Sequence, residues 1–218
     1  MRHELVTNHK RGFTTNPLRG AGEETELPES AKKPTYYTYI YSDEVSFQRI
    51  EPLNKIEIDT VNLESYGKSS QRIDSIINAT NLFHFKNFKE DIYRLDYKKN
   101  NKDFSIRDHI PKYQWKLIDG NKTIAGFLCK RATATIIKMG RKQNLVAWYC
   151  EDIPINDGLL DFNGLPGLIL EVEINDLTRI TFEKIIIDPK EKIDILEPER
   201  NSNSLTIKEY ENMIMGTR

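Results

Sequence analysis

The sequence predicts an antiparallel, mainly β domain, and three observations support that fold class. β-branched and aromatic residues recur in short segments, Gly, Pro, Asn and Asp separate these segments, and several segments alternate apolar with polar residues. The pattern yields about ten strand candidates and one or two helix candidates, one of them near the C-terminus. A chain of 218 residues ordinarily forms a single domain.

Charge and hydropathy exclude two classes of protein. The chain has 32 basic and 33 acidic residues and a net charge of -1, whereas dedicated nucleic-acid binders usually carry a basic excess. Its apolar runs fall far short of the ~20 residues that span a bilayer, so no transmembrane segment is predicted. The N-terminal residues contain no apolar stretch typical of a signal peptide.

The domain organisation follows from a change of composition near residue 35. Residues 1–34 combine glycines, prolines and scattered charges, which predicts a flexible N-terminal tail ahead of a β-rich domain at 35–218. Thr35–Tyr41 is the first strand candidate because it is dense in aromatic and β-branched residues. At Ser69–Thr80 the apolar spacing fits a helix and the β-branched content fits a strand, so both remain open.

Most of the remaining segments are also strand candidates. Lys98–Lys102 and Asp119–Asn121 are polar segments that predict turns. Thr206 and Glu209 have the spacing of a capping box, which predicts the start of a short C-terminal helix. The further strand candidates are Val45–Ile50, Lys55–Val61, Ile92–Tyr97, Asp103–Asp108, Gln114–Ile118, Thr123–Cys129, Thr133–Ile137, Leu145–Tyr149, Leu168–Ile174 and Arg179–Ile187.

The usual catalytic and metal-binding motifs are missing from the sequence. It contains no P-loop, no GxSxG or HExxH motif and no zinc-type Cys/His cluster, so no catalytic residue, metal ligand or cofactor is predicted. Phe83–Tyr97 interleaves basic and aromatic residues. Because the net charge is close to zero, we interpret this segment as an amphipathic sheet with solvated lysines, in which His84 is packed or half-exposed.

The only two cysteines, Cys129 and Cys150, stand about equally far from Gly140 in a predicted hairpin. They could face each other and form a disulfide, or lie in the sheet as two buried thiols. A small change in the hairpin centre moves one cysteine along its partner strand, so the pattern leaves both alternatives open. Thiol titration of the denatured, unreduced protein distinguishes them.

The most unusual segment is an apolar turn at Leu165–Leu168, where Pro166 and Gly167 predict a type II turn between two leucines. Such a turn either packs into its own core or docks a partner. Trp148 and Tyr149 add apolar surface nearby in sequence. The predicted binding residues are therefore Trp148, Tyr149, Gly164, Leu165, Pro166, Gly167 and Leu168.

Five ordered segments together resemble the GLPGLI family of Bacteroidota proteins. Gly164–Ile169 reads GLPGLI, the family's signature. Phe127 and Arg131 replace the family's common Tyr and Lys. The other matching segments are Trp115–Leu117, Ile124–Phe127, Cys129–Thr133, and Ala147–Tyr149 with Ile153–Pro154.

The resemblance implies a curved antiparallel sheet, shaped as a half-barrel or bowl, with a short C-terminal helix. It also implies an exported protein of the periplasm or cell envelope. The family supplies no reaction, and related domains occur beside outer-membrane transport and glycan-processing proteins.

The function predicted from these observations is non-enzymatic binding of a protein or small ligand through the curved sheet, outer-membrane transport machinery being one candidate partner. The alternative is a hydrolase that uses carboxylates in the sheet's concavity, for example on glycans or peptides. A deep cavity with several shifted pKa values would favour the enzyme. A shallow apolar patch around Leu165 and Trp148 would favour the binding protein.

Overall fold

The computed structural model describes residues 35–50, 82–98, 102–187, 195–199 and 203–216 in full. Of strand residues 2–9, 57–65, 68–76 and 99 it describes the backbone. These residues form thirteen strands and one helix. The strands are β1 Arg2–His9, β2 Thr35–Ser42, β3 Val45–Ile50, β4 Glu57–Ser65, β5 Lys68–Ile76, β6 Phe83–Asn87, β7 Ile92–Lys99, β8 Lys102–Asp108, β9 Lys116–Ile124, β10 Phe127–Lys138, β11 Arg141–Cys150, β12 Leu168–Ile174 and β13 Thr178–Ile185; the helix is α1 Ile207–Gly216.

Eleven of the strands form one antiparallel sheet in the order β8-β7-β6-β3-β2-β1-β13-β12-β11-β10-β9. Five strands on each side of β1 make a first half-sheet (β2, β3, β6, β7, β8) and a second half-sheet (β9 to β13). Strands β4 and β5 pair with each other as a separate hairpin. The predicted antiparallel, mainly β class is confirmed.

The sheet is curved, because strands far apart in its order approach each other in space. Tyr93 and Leu95 of β7 and Ile106 of β8 line the same cavity as Ile136 and Ile137 of β10. Strands β7 and β10 stand near opposite ends of the strand order, so only a bent sheet brings them together. The predicted curved or bowl-shaped sheet is therefore confirmed.

Helix α1 begins as the capping box predicts. The Thr206 amide donates to the Glu209 carboxylate at 2.8 Å, and the Glu209 amide donates to the Thr206 hydroxyl at 3.2 Å. The helix is anchored to both half-sheets, because the Ile207 amide donates to Asp108 and Glu211 accepts from the Met139 amide. At ten residues it lacks the length to cross a membrane.

The predicted turn at Asp119–Asn121 is wrong, because β9 continues through it. Asn121 pairs with Lys130 and Ile118 with Arg131, so the intervening residues form a bulge. Gly120 has a φ of 142°, and the Arg131 side chain lies against it. The chain reverses instead at Ala125 and Gly126, whose φ values of 48° and 86° fit the tight turn that joins twisted strands.

Two other regions bear on the sequence predictions: one differs from the prediction, and the other decides between its two alternatives. Strand β1 lies inside the predicted tail 1–34 and pairs with β2 and β13; residues 10–34 fall outside the described residues. In the segment left open between helix and strand, the backbone of β5 adopts the strand. The β-branched content therefore outweighed the helical spacing there.

Candidate functional site

The concave side of the sheet is filled by the long connection between β11 and β12, residues 151–167, which we call the core loop. Several of its side chains join the hydrophobic core, among them Ile153, Leu159, Phe162 and Leu165. Loops of this length without regular structure are usually functional in compact domains. The core loop therefore defines the region in which to look for a site.

The GLPGLI segment fastens the end of the core loop to the sheet. Leu165 and Leu168 are 1% and 0% exposed, so the apolar turn packs inward. The Gly164 amide donates to Asn156, and the Ile169 amide donates to the carbonyl of Asp157 at 2.9 Å. The segment thereby fixes the position of Asp157.

The predicted type II turn at Pro166 and Gly167 is wrong. The Gly167 amide donates to the Leu165 carbonyl at 2.8 Å, which closes a three-residue γ-turn around Pro166. Gly167 has a φ of 144°, and a Cβ there would overlap the Cys150 carbonyl oxygen. Only glycine leaves room for this approach of two backbone segments.

We expect Gly167→Ala to lower the free energy of unfolding by about 2–4 kcal/mol, because it combines backbone strain with overpacking. Gly126→Ala is the matched control. Gly126 also has a positive φ, but a Cβ there meets no atom within 4 Å, so this variant reports strain without overlap. Urea denaturation of both variants measures the difference, and equal losses would contradict the close approach at Gly167.

The other predicted binding residues differ in their exposure to solvent. Tyr149 is 1% exposed. Trp148 is half-buried, with the Arg131 guanidinium 5.7 Å and the Lys122 ammonium 5.5 Å from its ring centroid. Gly164 and Pro166 are exposed. A binding role for these residues stays a prediction.

A buried ion pair between Lys86 and Asp157 holds the core loop against the first half-sheet. Both side chains are 0% exposed. The Lys86 ammonium also donates to the carbonyls of Gly158 and Phe162, and the Tyr39 hydroxyl donates to Asp157 at 2.7 Å. Every proton of the ammonium thus has an acceptor, as a buried charge requires.

Gln48 completes this contact by pairing with the backbone of the core loop. Its amide nitrogen donates to the Gly158 carbonyl at 3.1 Å, and its amide oxygen accepts from the Leu160 amide at 2.6 Å. Strand pairing sets Gln48 opposite both Tyr39 and His84, which gives these side chains a common face. The first half-sheet therefore turns a polar face towards the core loop.

Beside the core loop lies a cavity of about 200 Å³, which we call the rim cavity. It opens where the two half-sheets approach each other and helix α1 bridges them. Its walls are mainly apolar, with ionisable groups set among them. The lining residues are Tyr93, Leu95, Ile106, Pro111, Lys112, Tyr113, Ile136, Ile137, Lys138, Met139, Asp161, Ile207, Tyr210 and Glu211.

The ionic centre of the rim cavity is the pair Lys138–Asp161, whose charged atoms are 2.9 Å apart. Burial opposes ionisation of Asp161, but the Lys138 ammonium outweighs it and lowers the carboxyl pKa to about 2. The Asp161 charge raises the pKa of Lys138 above its usual value. Burial, reinforced by the Asp161 charge, raises the pKa of the Tyr93 and Tyr113 hydroxyls.

His84 forms a hydrogen bond with Tyr93, a residue that lines the rim cavity. The His84 Nδ1 atom is 3.0 Å from the Tyr93 hydroxyl. Burial lowers the imidazole pKa to about 3, and the nearby Lys86 charge acts in the same direction. His84 is therefore neutral at neutral pH. The prediction of a packed or half-exposed His84 resolves to the packed alternative, since the residue is 6% exposed.

The interpretation of Phe83–Tyr97 as a sheet with solvated lysines is wrong at its centre. Lys89 is exposed, but Lys86 is fully buried, and Arg94 is buried in an ion pair with Asp96 at 2.6 Å. The sequence carried no signal for Lys86, because its partner Asp157 lies 71 residues away in a loop. Among the described residues, no cluster of three or more His, Cys, Asp or Glu could hold a metal ion.

The fold and cavity define a mainly β protein with a loop-filled curved sheet. A family model described as a protein of unknown function (Porph_ging) matches residues 136–171, which contain the whole core loop. No curated protein matches the sequence.

Two solved structures share the fold over 100% of this chain: PNGF-II in space group C2, with a TM-score of 0.55 and 13% identity, and in space group P21, with 0.54 and 14%. The chain spans about a third of their length, 33% and 34% respectively. At this identity the likeness concerns the fold alone.

Proposed function

We propose that this chain is a non-enzymatic binding protein of the GLPGLI family that takes up an apolar group, from a small ligand or a partner, in the rim cavity. The observation that carries the proposal is the lining of that cavity. Most of its wall is aliphatic or aromatic, and one ion pair, Lys138–Asp161, lies among these residues. Binding sites for small molecules typically combine a mostly apolar concave surface with few polar groups.

Access from solvent supports a binding role. Ile137 is 78% exposed at the cavity's edge, and the Lys138 side chain is 40% exposed. An isolated exposed isoleucine is ordinary on a protein surface, but this one continues into an apolar concavity. A ligand could therefore enter from that edge and cover Ile137.

The protonation states of the site favour binding over catalysis. Asp161 and Lys138 hold each other charged, while His84, Tyr93 and Tyr113 are held neutral. Several shifted pKa values occur in one place, as they do in many enzymes. Each shift, however, moves the pKa of the group further from pH 7. General acid–base catalysis needs a group that exchanges its proton near the working pH.

The hydrolase alternative has less support, because it depends on free carboxylates in the concavity. The two buried aspartates of the core loop are both engaged: Asp157 with Lys86 and Asp161 with Lys138. A hydrolase would also need a water or substrate bond within their reach. Turnover of a glycan or peptide that is abolished by Asp161→Asn would restore this alternative.

Membership of the GLPGLI family and an envelope location are part of the proposal. The signature at Gly164–Ile169 lies within the segment that the family model of unknown function matches, which supports membership. The location rests on the resemblance. Mass spectrometry of the protein from fractionated cells tests it, and a cytoplasmic form that still carries Met1 would contradict it.

Binding in the rim cavity is tested with N-phenyl-1-naphthylamine, an uncharged apolar fluorophore. We expect Ile207→Trp to weaken its binding about tenfold or more, because the larger ring enters the cavity from helix α1. Leu128→Trp is the matched control, since Leu128 is 60% exposed and lies outside the lining. Both variants should retain the wild-type melting temperature within a few degrees.

Two outcomes would contradict the assignment of the rim cavity. One is the absence of saturable fluorophore binding to the wild-type protein. The other is equal weakening by Ile207→Trp and Leu128→Trp, which would place the binding elsewhere on the surface.

A further inference from the structure

The two cysteines stand at the end of the β10–β11 pairing, each one residue beyond its last pair, Lys130 with Tyr149. Strands β10 and β11 pair without a bulge, from Lys138 opposite Arg141 at the turn to Lys130 opposite Tyr149 at the other end. One further step of this register brings Cys129 opposite Cys150. Residues directly opposite in an antiparallel pair have their side chains on the same face and their Cβ atoms about 5 Å apart. Of the registers that the sequence left open, the observed one therefore aligns Cys129 with Cys150 instead of displacing them along the strands.

Burial and proximity agree with this register. Both thiols are free and 0% exposed in the structure. Burial raises the pKa of the Cys129 thiol to about 12, and Cys150 contributes to the rise, which places the two sulfur atoms within electrostatic reach. Since the chain contains only these two cysteines, neither has another partner within the molecule.

We propose that Cys129 and Cys150 form a cross-strand disulfide when the chain folds under oxidising conditions. The bond would link β10 to the last residue of β11, where the core loop begins and where the Cys150 carbonyl meets Gly167. It would thereby anchor the loop that holds Asp157 and Asp161. This inference is independent of the proposed ligand and of the rim cavity.

The bond is made by exchange with a disulfide oxidant such as oxidised glutathione. One protein thiolate attacks the oxidant and releases one glutathione thiol; the second attacks the mixed disulfide and releases the other. The two protein thiols are oxidised and the glutathione disulfide is reduced to two thiols. Burial suppresses the Cys129 thiolate in the folded protein and both sulfurs are inaccessible to the oxidant there, so the exchange takes place while the chain folds.

The experiment refolds the full chain in a mixture of oxidised and reduced glutathione, then labels it with a maleimide under denaturing, non-reducing conditions. We expect no label and an intact mass lower by two hydrogen atoms. Cys129→Ser and Cys150→Ser should each leave one sulfur that carries a label or a glutathione. Two labelled thiols, two glutathione adducts or a disulfide-linked dimer of the wild type would overturn the proposal.

A melting experiment then tests whether the bond fits the native fold. The oxidised wild type should melt roughly 5–10 °C above the reduced protein, because the cross-link restricts the unfolded chain. The double variant Cys129→Ser with Cys150→Ser should melt equally with and without reductant. An oxidised wild type that melts at or below the reduced form would overturn a native cross-strand bond.

Discussion

Lys86→Met should lower the free energy of unfolding by about 3–5 kcal/mol, since it leaves a fully buried carboxylate without its cation. Methionine keeps much of the lysine's length and removes only the charge and its donors. The loss reaches beyond Asp157, because Gly158 and Phe162 also lose the donor to their carbonyls. Chemical denaturation followed by tryptophan fluorescence measures the effect.

Lys89→Met is the matched control for this prediction. Lys89 lies three residues along the same hairpin, but its side chain is 58% exposed and 4.0 Å from Glu44. Exposed pairs of this kind contribute at most about 1 kcal/mol. In the double variant Lys86→Met with Asp157→Asn, part of the loss should return, since no buried charge remains. A loss under about 1 kcal/mol for Lys86→Met alone would show that the pair does not hold the core loop.

Acid should destabilise the protein through His84, in a pH range set by two pKa values. The imidazole pKa is about 3 in the folded protein and near 6.5 in the unfolded chain. Between about pH 6.5 and pH 3, His84 is therefore protonated in the unfolded chain but neutral in the folded protein. Stability is lost as the pH falls from about 6.5 towards 3, by roughly 2–3 kcal/mol at pH 4.5.

His84→Asn tests this effect, because asparagine retains a polar atom near the position of Nδ1 but does not titrate. Between pH 7 and 4.5 the unfolding free energy of this variant should fall roughly 2–3 kcal/mol less than that of the wild type. His109→Asn is the control, since the His109 side chain is 82% exposed. Parallel curves for wild type and His84→Asn would refute the buried neutral imidazole.

A separate carboxylate effect should follow at lower pH. The pKa of Asp161 is about 2 in the folded protein, against an ordinary value of 3.8. Its contribution to stability is present above pH 3.8 and is lost as the pH falls through about 2. Between pH 6.5 and 3.8 only the His84 effect operates, and the Asp161 effect adds to it below pH 3.8, so the two begin at different points of one titration.

Local patterns predicted most of the strands and the helix. Val45–Ile50 alternates, and β3 has those bounds, while the spacing of Thr206 and Glu209 located the first turn of α1. These predictions succeeded because strand alternation and helix capping depend on residues a few positions apart. The turn predicted at Asp119–Asn121 was wrong because a local pattern contains no information on pairing with a distant strand. Pairing of β9 with β10 keeps these turn-forming residues within the strand.

The candidate site could not be predicted, because its partners are distant in sequence. In sequence, the segment around Lys86 has the pattern of an amphipathic strand with an exposed lysine. In the structure, Asp157 covers Lys86 and both side chains are buried. The rim cavity combines residues from β7, β8, β10, the core loop and α1, which no spacing rule connects. By contrast, the resemblance at Gly164–Ile169 located the segment that positions the core loop, although Leu165 and Leu168 lie in the core itself.

The core loop's hydrogen bonds also bear on how fast the chain can fold. They connect residues separated by 71 positions for Lys86 and Asp157, 110 for Gln48 and Gly158, and 118 for Tyr39 and Asp157. Contacts this distant form only after much of the chain entropy has been lost, and such topologies fold slowly. We therefore expect the core loop to dock late in folding, after the strands that supply Tyr39, Gln48 and Lys86 have paired.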